Sequence, residues 1–237
     1  MFARIGTAGW SLPKEHRGRF GGGASILTRY ATRLNAVEIN SSFYRPHRPA
    51  TYARWAASVP EDFRFAVKVP KAVTHERRLA DASAPLGSFL AECTALGEKL
   101  GPLLVQLPPS LRFDGKVAET FFRDLRRRFD GAVVCEPRHP TWFGGEADAM
   151  LKAAKIARVA ADPARVPAAA SPGGDPGLVY FRWHGTPRIY YADYDAARLA
   201  GLAQKLRTTR AAVWCIFDNT ALGHATANAL ALRAMLP

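Results

Sequence analysis

The chain has 237 residues, enough for one large domain or two small ones, and 48% of them are hydrophobic. Its 33 Lys and Arg residues outnumber its 20 Asp and Glu residues, which gives a formal net charge of +13. This excess favours acidic partners such as nucleic acid, phosphorylated metabolites or an anionic membrane surface, although a GC-rich genome and a solvated surface would produce the same excess. No uncharged apolar run approaches the length of a membrane span, so we expect no membrane-spanning segment.

The three cysteines, Cys93, Cys135 and Cys215, lie inside apolar stretches and show no CxxC spacing. An odd number of such cysteines predicts buried, reduced thiols and a cytoplasmic location. The first residues, MFARIGTAGW, become strand-like almost at once, so we also expect no signal peptide.

Eight short strand-like runs follow one another along the chain. They begin near Ala3, Ala36, Arg64, Leu103, Ala132, Ala157, Leu178 and Ala211. Most of the stretches between them have helical spacing, as in VAETFFRDLRRRF (117–129). The exception is PARVPAAASPGGDPG (163–177), whose Pro, Gly and Ala content predicts a loop with at most a short helix.

This alternation predicts an α/β fold of the (β/α)8 TIM-barrel type, a single domain over residues 1–237 with a shortened sixth connection. An open, doubly wound sheet is the structural alternative. Its nucleotide-binding form would need a glycine fingerprint after the first strand, and neither GTAGWS nor FGGGAS supplies one.

The polar residues of the strands share one parity. In a barrel, alternate side chains of each strand point inward, and active sites form at the carboxyl ends of the strands. The even-numbered polar residues near those ends are Glu38, Asn40, Lys68, Gln106, Glu136, Asp162, Arg182, His184 and Asp218. Because burying so many unpaired ions would be costly, we expect these side chains to meet in one solvent-filled pocket.

Glu38 and Glu136 are the predicted general acid and base, because their apolar neighbours would raise the pKa of each carboxyl. The alternative is a structural ion pair with Lys68, Arg138 or Arg182.

Lys68 is expected to balance a carboxylate or to bind an anion, and a Schiff base is the alternative role. His184 and His139 are predicted proton relays near neutral pH. Asp218 completes the set of candidate catalytic residues. HGTP (184–187) and DNTALGHA (218–225) predict an anion site at the loops after strands seven and eight.

Aromatic side chains near the strand ends are predicted to stack on a sugar or base. They are Trp10, Tyr44 and Trp142, whereas the odd parity of Trp183 predicts a helix-facing position. The other predicted substrate contacts are Asn40, His75, Gln106, Arg138, His139, Asp162, Arg182 and Asn219.

No cofactor is predicted. Glu38, Glu136, Asp162, His184 and Asp218 include suitable ligand types for a divalent metal, but no HxH or HExxH motif is present and nearby cations would compete for the carboxylates. A bound metal is therefore the less favoured alternative.

Seven ordered motifs resemble those of the YecE-like family, also catalogued as domain of unknown function 72. They are GTAGWS, VEINSSFYRP, FRFAVKVPKAVTH, LLVQLPPSL, EPRHPTWF, YFRWHG and FDNTALGHATANAL. The resemblance implies a TIM barrel similar to those of xylose isomerase and endonuclease IV, and it implies no settled activity. The chain departs from the family pattern at Ala8, at Pro137 and at Asp218, which stands in place of an asparagine.

From these observations we expect an enzyme that acts on a phosphorylated or carbohydrate-like small molecule by acid–base chemistry at the barrel mouth. Two other functions stay open. One is nucleic-acid binding or processing by an endonuclease IV-like barrel, and the other is non-catalytic ligand binding. The sequence gives no prediction of oligomeric state.

Overall fold

The structure is a computed structural model that describes residues 3–236, and it arranges the predicted strands into a closed barrel. The strands are β1 (Ala3–Thr7), β2 (Ala36–Ile39), β3 (Arg64–Lys68), β4 (Leu100–Gln106), β5 (Val133–Glu136), β6 (Ala157–Arg158), β7 (Ala160–Asp162), β8 (Gly173–Gly174), β9 (Leu178–Trp183) and β10 (Ala212–Phe217). Their starting points follow the predicted ones within a few residues.

Parallel pairing runs in two groups that join end to end. One group has the order β1, β10, β9, β7, and the other has the order β2, β3, β4, β5, β6. Val159 links β6 to β7, and its N–H donates to the carbonyl of Cys135 at 2.9 Å. A parallel bridge between Ala8 and Glu38 closes the other side. The predicted (β/α)8 barrel is therefore confirmed over the described residues.

Helices surround this barrel. The α-helices are α1 (Ile26–Tyr30), α2 (Pro49–Ala57), α3 (Ser83–Cys93), α4 (Gly115–Arg128), α5 (Gly145–Ala153), α6 (Ala196–Thr208) and α7 (His224–Ala234). Short helical turns lie at Lys14–Arg19, Ser41–Phe43, Ala72–Glu76, Thr94–Lys99, Pro140–Phe143 and Pro167–Ala170. Within the part of the chain that the structure describes, no helix is long and apolar enough to cross a membrane.

The sixth connection is short, as predicted. Residues 163–177 contain only the turn Pro167–Ala170 and β8, which pairs antiparallel with β6. The sequence did not predict β8, because two glycines carry no strand signal of their own.

The structure has two apolar cores. One fills the inside of the barrel, and the other lies between the strands and the surrounding helices. The inner core combines alanines with large rings, and its members are Ala36, Ala66, Leu104, Val134, Ala157, Val159, Tyr180, Trp214 and Ile216. The Tyr180 and Trp214 rings stack with centroids 5.9 Å apart. This layer fills the barrel below the carboxyl ends of the strands, so the polar residues of those ends stand on an apolar floor.

The seam between β1 and β2 is held by side chains in place of a strand ladder. The Tyr30 hydroxyl accepts from the Thr7 N–H at 2.9 Å and donates to the Ala36 carbonyl at 2.9 Å. The Asn35 side chain accepts from the Ile5 N–H, also at 2.9 Å. These bonds satisfy backbone groups that a continuous sheet would otherwise pair.

Strand six of the barrel, which consists of β6, Val159 and β7, corrects one prediction. Ala157 pairs with Val134, and Ala161 pairs with Arg182, so the inward positions of this strand are odd-numbered. Asp162 pairs instead with the outward Trp183. The expectation that Asp162 points into the barrel is wrong, because even parity does not carry over from the other strands to this one.

The three cysteines are confirmed as free and buried. Burial raises the pKa of each thiol, to about 12 at Cys93. These thiols therefore act as core side chains rather than nucleophiles.

Candidate active site

Arg182 lies at the centre of the carboxyl-terminal mouth with no exposed surface. Its Nε and Nη2 donate to the two oxygens of Glu38 at 3.0 and 2.6 Å. Its Nη1 donates to Glu136 Oε2 at 2.7 Å, and Nη2 also reaches Asp218 Oδ2 at 3.0 Å. One guanidinium therefore fixes carboxylates from three different strand ends.

His184 bridges two of the same carboxylates. Its Nε2 lies 2.8 Å from Glu136 Oε1, and its Nδ1 lies 3.0 Å from Asp218 Oδ2. Burial alone would lower the pKa of His184, but the Glu136 charge and the bond to Asp218 outweigh burial and raise the pKa above its ordinary value. The imidazole is therefore biased toward its charged form.

Glu136 does not behave as predicted. Burial would raise the pKa of this carboxyl, but Arg182, Arg138 and His184 together hold the pKa well below its ordinary value. Asp218 shows the same balance, in which Arg182 and His184 overcome burial and lower the pKa. Both groups are carboxylates at neutral pH, and the ion-pair alternative for Glu136 is the one that the structure contains.

Glu38 is enclosed on all sides. It has no exposed surface, and its Oε2 accepts from the Tyr180 hydroxyl at 2.9 Å in addition to Arg182. Such a carboxylate holds Arg182 in place and is poorly placed to exchange a proton with a ligand.

Lys68 stands beside this cluster without a direct ion pair. Among the described residues no carboxylate oxygen lies within 4.0 Å of its Nζ, which sits 4.1 Å from the centroid of the Phe43 ring. Burial and the Arg182 charge lower the pKa of Lys68 to about 8, despite the opposing pull of Glu38, Glu136 and Asp218. Lys68 therefore interacts with these carboxylates through space rather than by a direct ion pair, and its predicted role in binding an anion stays a prediction.

The rim above the carboxylates is positively charged. His75 packs edge-on against Phe43 with ring centroids 4.9 Å apart. Its pKa is lowered by burial and by the neighbouring charges of Lys68, Arg138 and Arg78. A depressed imidazole pKa of this origin indicates a local potential that would attract an anion.

A cavity of about 250 Å3 opens at this mouth beside the carboxyl ends of β5, β7 and β9. Glu136 and His184 form its polar wall, and Arg138 and Arg165 add two cations. The remaining lining is mostly apolar, and it consists of Pro137, Ala161, Pro163, Ala164, Ala169 and Ile189. Few convergent polar groups in an apolar cleft are typical of a small-molecule site.

A larger cavity of about 570 Å3 lies on the outer surface between α4 and α5, and its lining includes Lys155, just before the amino end of β6. Three arginines of the run RDLRRR (123–128) line it, but Arg126 donates to the carbonyls of Gly131, Ala154 and Lys155. Arg127 and Arg128 pair with Asp124 on the helix surface. Because the lining of this cavity has one carboxylate, Glu119, and no histidine, we place the candidate site at the mouth.

The structure brings together most of the predicted residues. Glu38, Glu136, Arg138, Arg182, His184 and Asp218 are hydrogen-bonded in one network, and Lys68, His75 and Gln106 lie beside it. Asn40 follows Glu38, and its buried Oδ1 has no hydrogen-bond partner among the described residues.

Other predicted residues lie elsewhere. Trp142 is 1% exposed, and its indole N–H donates to the Leu111 carbonyl, so it belongs to the outer core. Trp10 packs against Trp55 of α2, and Tyr44 is 71% exposed beside Phe43.

Three polar candidates have structural partners. His139 caps the turn Pro140–Phe143 and contacts the Thr141 hydroxyl. Asp162 accepts from the Tyr194 hydroxyl and from Arg198 of α6. The amide of Asn219 donates to Ala192 and Asn228 beneath the loop that follows β9.

The predicted anion site at the start of α7 is not favoured by the structure. Two of the first N–H groups of this helix, those of Ala225 and Thr226, already donate to backbone carbonyls. The adjoining cavity measures about 20 Å3, which is room for a water molecule rather than a phosphate. The cations that could bind an anion lie instead on the Lys68 and Arg138 side of the mouth.

No group of three or more metal-type ligands is arranged for a metal among residues 3–236. The carboxylates that could serve converge on the Arg182 guanidinium, so the residues present fit an internal cation better than a metal ion.

Sequence reasoning missed Tyr180, Phe43 and Arg165. Tyr180 shares the even parity of Arg182 and His184, so the same periodicity could have found it. Phe43 ends the helical turn Ser41–Phe43 and Arg165 lies in the loop after β7, and at neither place does a periodicity predict a side chain near the mouth.

Comparisons with known proteins agree with this fold. The profile of the family described as "Protein of unknown function DUF72" matches residues 4–237. The UPF0759 protein YecE of Escherichia coli K12 is 32% identical over 149 residues, which are 62% of this chain and 53% of YecE, so the match spans about half the length of that curated relative.

Two solved structures extend the comparison to nearly the whole chain. A DUF72 family protein of Enterococcus faecalis superposes with a TM-score of 0.82 at 24% identity, covering 99% of this chain and 95% of that one. A family 2 AP endonuclease of Brucella melitensis superposes with a TM-score of 0.58 at 14% identity, covering 95% and 96%. At these identities both show a shared barrel fold and nothing about activity.

Proposed function

This chain belongs to the DUF72 family, and from the geometry of its barrel mouth we propose that it is an enzyme acting on a small phosphorylated or carbohydrate-like anion. The observation that carries the proposal is one cavity in which Glu136 and His184 share a wall with Arg138 and Arg165. The His184 imidazole, the Glu136 carboxylate and two anion-binding cations thus face the same space.

The fully buried residues of the network have a supporting role, whereas those that line the cavity can contact a ligand. Glu38, Tyr180 and Arg182 are fully buried and hold the carboxylates in fixed positions. Fixed neighbours of this kind keep reacting groups in a productive geometry before the substrate arrives.

The proposed acid–base groups are Lys68 and His184 rather than the two glutamates. A group works best as acid or base when its pKa lies near the working pH. The Lys68 pKa of about 8 meets this condition, and the raised pKa of His184 favours its protonated form.

Glu136 is the group we assign to contact the substrate. A carboxylate accepts about four hydrogen bonds. Glu136 accepts from Arg182, His184 and Arg138, which leaves room for a substrate hydroxyl in the cavity that it lines.

The size of the cavity favours a small molecule over a nucleic-acid strand. About 250 Å3 lies below the usual range for drug-sized ligands and suits a sugar phosphate. The net charge of +13 keeps nucleic acid as the alternative partner. Filter binding at low salt tests it, because phosphate-backbone contacts would make affinity fall steeply as salt rises.

A thermal-shift and turnover screen of phosphorylated metabolites tests the proposal. We expect phosphorylated compounds to stabilise the protein, unphosphorylated counterparts to do so less, and Glu136→Gln and Lys68→Met to lower turnover of the best compound at least about 100-fold. Arg127→Ala on α4 is the control and should behave like the wild type. Wild-type turnover by both mouth variants would overturn the proposal.

A further inference from the structure

The loop after β9 presents three large side chains to solvent at the edge of the mouth. Ile189, Tyr190 and Tyr191 are 38%, 40% and 40% exposed. Ile189 lines the cavity that contains Glu136 and His184. Adjacent exposed apolar side chains beside a pocket mark a surface that meets a ligand or a partner.

This loop is fixed by its own hydrogen bonds, so the exposure of these side chains does not come from a loose chain. The Tyr190 N–H donates to the His184 carbonyl at 2.6 Å, and the Tyr190 carbonyl accepts from Ala221 at 3.1 Å. The Ala192 N–H donates to Arg188 at 2.8 Å, and the Asn219 amide holds the Ala192 carbonyl at 2.9 Å.

Tyr190 itself has a left-handed backbone, with a φ of 71°. A bulky residue in this region is strained, and glycine or asparagine would adopt the same conformation more easily. Strain of this kind clusters at ligand-binding positions. A tyrosine therefore occupies this position although its backbone conformation is strained.

The two tyrosines differ in what covers their rings. The Arg188 guanidinium lies over the Tyr191 ring, 4.0 Å from its centroid. The Tyr190 ring stands perpendicular to the His184 imidazole, with centroids 6.2 Å apart. Tyr190 is also 40% exposed, so part of its ring is accessible to a ligand directly beside the proposed acid–base residue.

We infer that Tyr190 is a stacking platform for a flat ring that the anionic substrate carries outside the cavity. The inference deepens the proposed function and rests on it. The cavity of about 250 Å3 has room for the anionic part near Arg138 and Arg165, and a ring attached to that part would emerge at the rim beside Ile189 and Tyr190. The same chemistry describes a nucleoside phosphate, which presents a nucleobase, and a hexose phosphate, which presents the apolar face of a sugar.

Three probes separate these sources in a calorimetric titration. They are adenosine monophosphate, glucose 6-phosphate and glycerol 3-phosphate, which has the anion without any ring. Tyr190→Ala should lower the affinity for adenosine monophosphate or for glucose 6-phosphate roughly 5- to 150-fold, as loss of one stacked ring does, and leave the affinity for glycerol 3-phosphate unchanged. The probe that responds identifies the ring.

Matched variants separate stacking from structure. Tyr190→Phe should keep the affinity, because the ring face is retained. Tyr191→Ala should also keep it, because the Arg188 guanidinium occupies one face of the Tyr191 ring and the ring that contacts His184 is that of Tyr190. Tyr190→Gly should lower affinity as Tyr190→Ala does, while its Tm stays unchanged or rises by up to roughly 4 °C because the left-handed strain is relieved.

Failure of the Tyr190 inference can be distinguished from failure of the proposed function. Equal affinity of the wild type and Tyr190→Ala for all probes would overturn the platform, whereas the proposed function would still be judged by Glu136→Gln and Lys68→Met. Absence of wild-type binding by all three probes at millimolar concentration would overturn the platform and the proposed substrate class together.

Discussion

Arg182 shows why a guanidinium, rather than an ammonium, occupies the centre of this mouth. Its planar fork donates four hydrogen bonds to Glu38, Glu136 and Asp218. An ammonium donates three bonds without a fixed plane, and so it could not hold the same three carboxylates in one geometry. Each of these carboxylates is buried, so the arrangement depends on its cation.

Replacing Arg182 with Met should destabilise the protein by about 3–5 kcal/mol, because carboxylates would be left buried without a counter-charge. The loss should be smaller at pH 4 than at pH 8, since protonation would then neutralise them. Urea denaturation at the two pH values measures both effects. Arg127→Ala, which breaks an exposed surface pair, should cost at most about 1 kcal/mol. A cost below 1 kcal/mol for Arg182→Met would contradict this account.

The Lys68 ammonium should titrate far below an ordinary lysine. Burial disfavours its charged form and lowers its pKa to about 8. Between this pKa and the ordinary 10.5 the unfolded chain binds more protons than the folded one, so Lys68 adds stability as pH rises through that window.

Nuclear magnetic resonance of lysines labelled at Cε measures this titration directly. One signal should have a midpoint near 8 and should vanish in Lys68→Met. Exposed lysines should titrate near 10.4 and serve as the internal control. A Lys68 midpoint above 10 would show that the amine is better solvated than the structure indicates.

At the level of single residues, parity predicted much of the site. Glu38, Glu136, Arg182, His184 and Asp218 do meet, because strand side chains alternate between inside and outside. Parity could not predict which of these side chains form ion pairs. The ion pairs depend on the register of the strands around the barrel. The pKa of a buried carboxyl is raised when it lacks a cationic partner and lowered when it has one, as Glu136 has in Arg182.

Among the secondary-structure elements, the two irregular ones were the hardest to predict. Strand six is split at Val159, and its inward positions are odd, so Asp162 faces α6 rather than the pocket. Trp142 follows a strand end closely in sequence, but the turn Pro140–Phe143 directs its ring into the core. Local periodicity cannot report a break in register or the direction of a tight turn.

The β1–β2 seam is a second feature that only the folded chain reveals. Tyr30 belongs to α1, a helix of only five residues, yet its hydroxyl bonds two strands. In the sequence it reads as one more apolar residue of an amphipathic turn.

Tyr30→Phe should destabilise the protein by about 1–3 kcal/mol, because the buried Thr7 N–H and Ala36 carbonyl would lose their partner. Tyr44→Phe removes a hydroxyl from an exposed ring and should be neutral. Chemical denaturation of both variants provides the comparison. Equal stability of the two would mean that the seam does not depend on the Tyr30 hydroxyl.

For the whole molecule, the net charge differs from the charge at the mouth. The net charge is +13, but the mouth sets Glu38, Glu136 and Asp218 against Arg182, Arg138 and Lys68. These six charges balance, so the excess of positive charge lies outside this group, in part on Arg78 and Arg165 beside the mouth. This distribution would draw an anion to the mouth while keeping the reacting groups paired.

The fold itself was predictable from the sequence, because alternation of strands and helices over this length leaves few architectures. The activity was not, since a barrel supports many chemistries and the likeness to an AP endonuclease at 14% identity concerns the backbone alone. The function therefore has to be inferred from the side chains at the barrel mouth.

The most direct test of the central claim is where a phosphorylated ligand binds. Titration of the labelled protein with the best compound of the screen, followed by resonances of the Lys68 amine and the His184 imidazole, reports on the mouth alone. We predict saturable shifts of both signals, with no change at the α4–α5 surface. Saturable binding that moves only the α4–α5 resonances and leaves Lys68 and His184 unchanged would contradict the account.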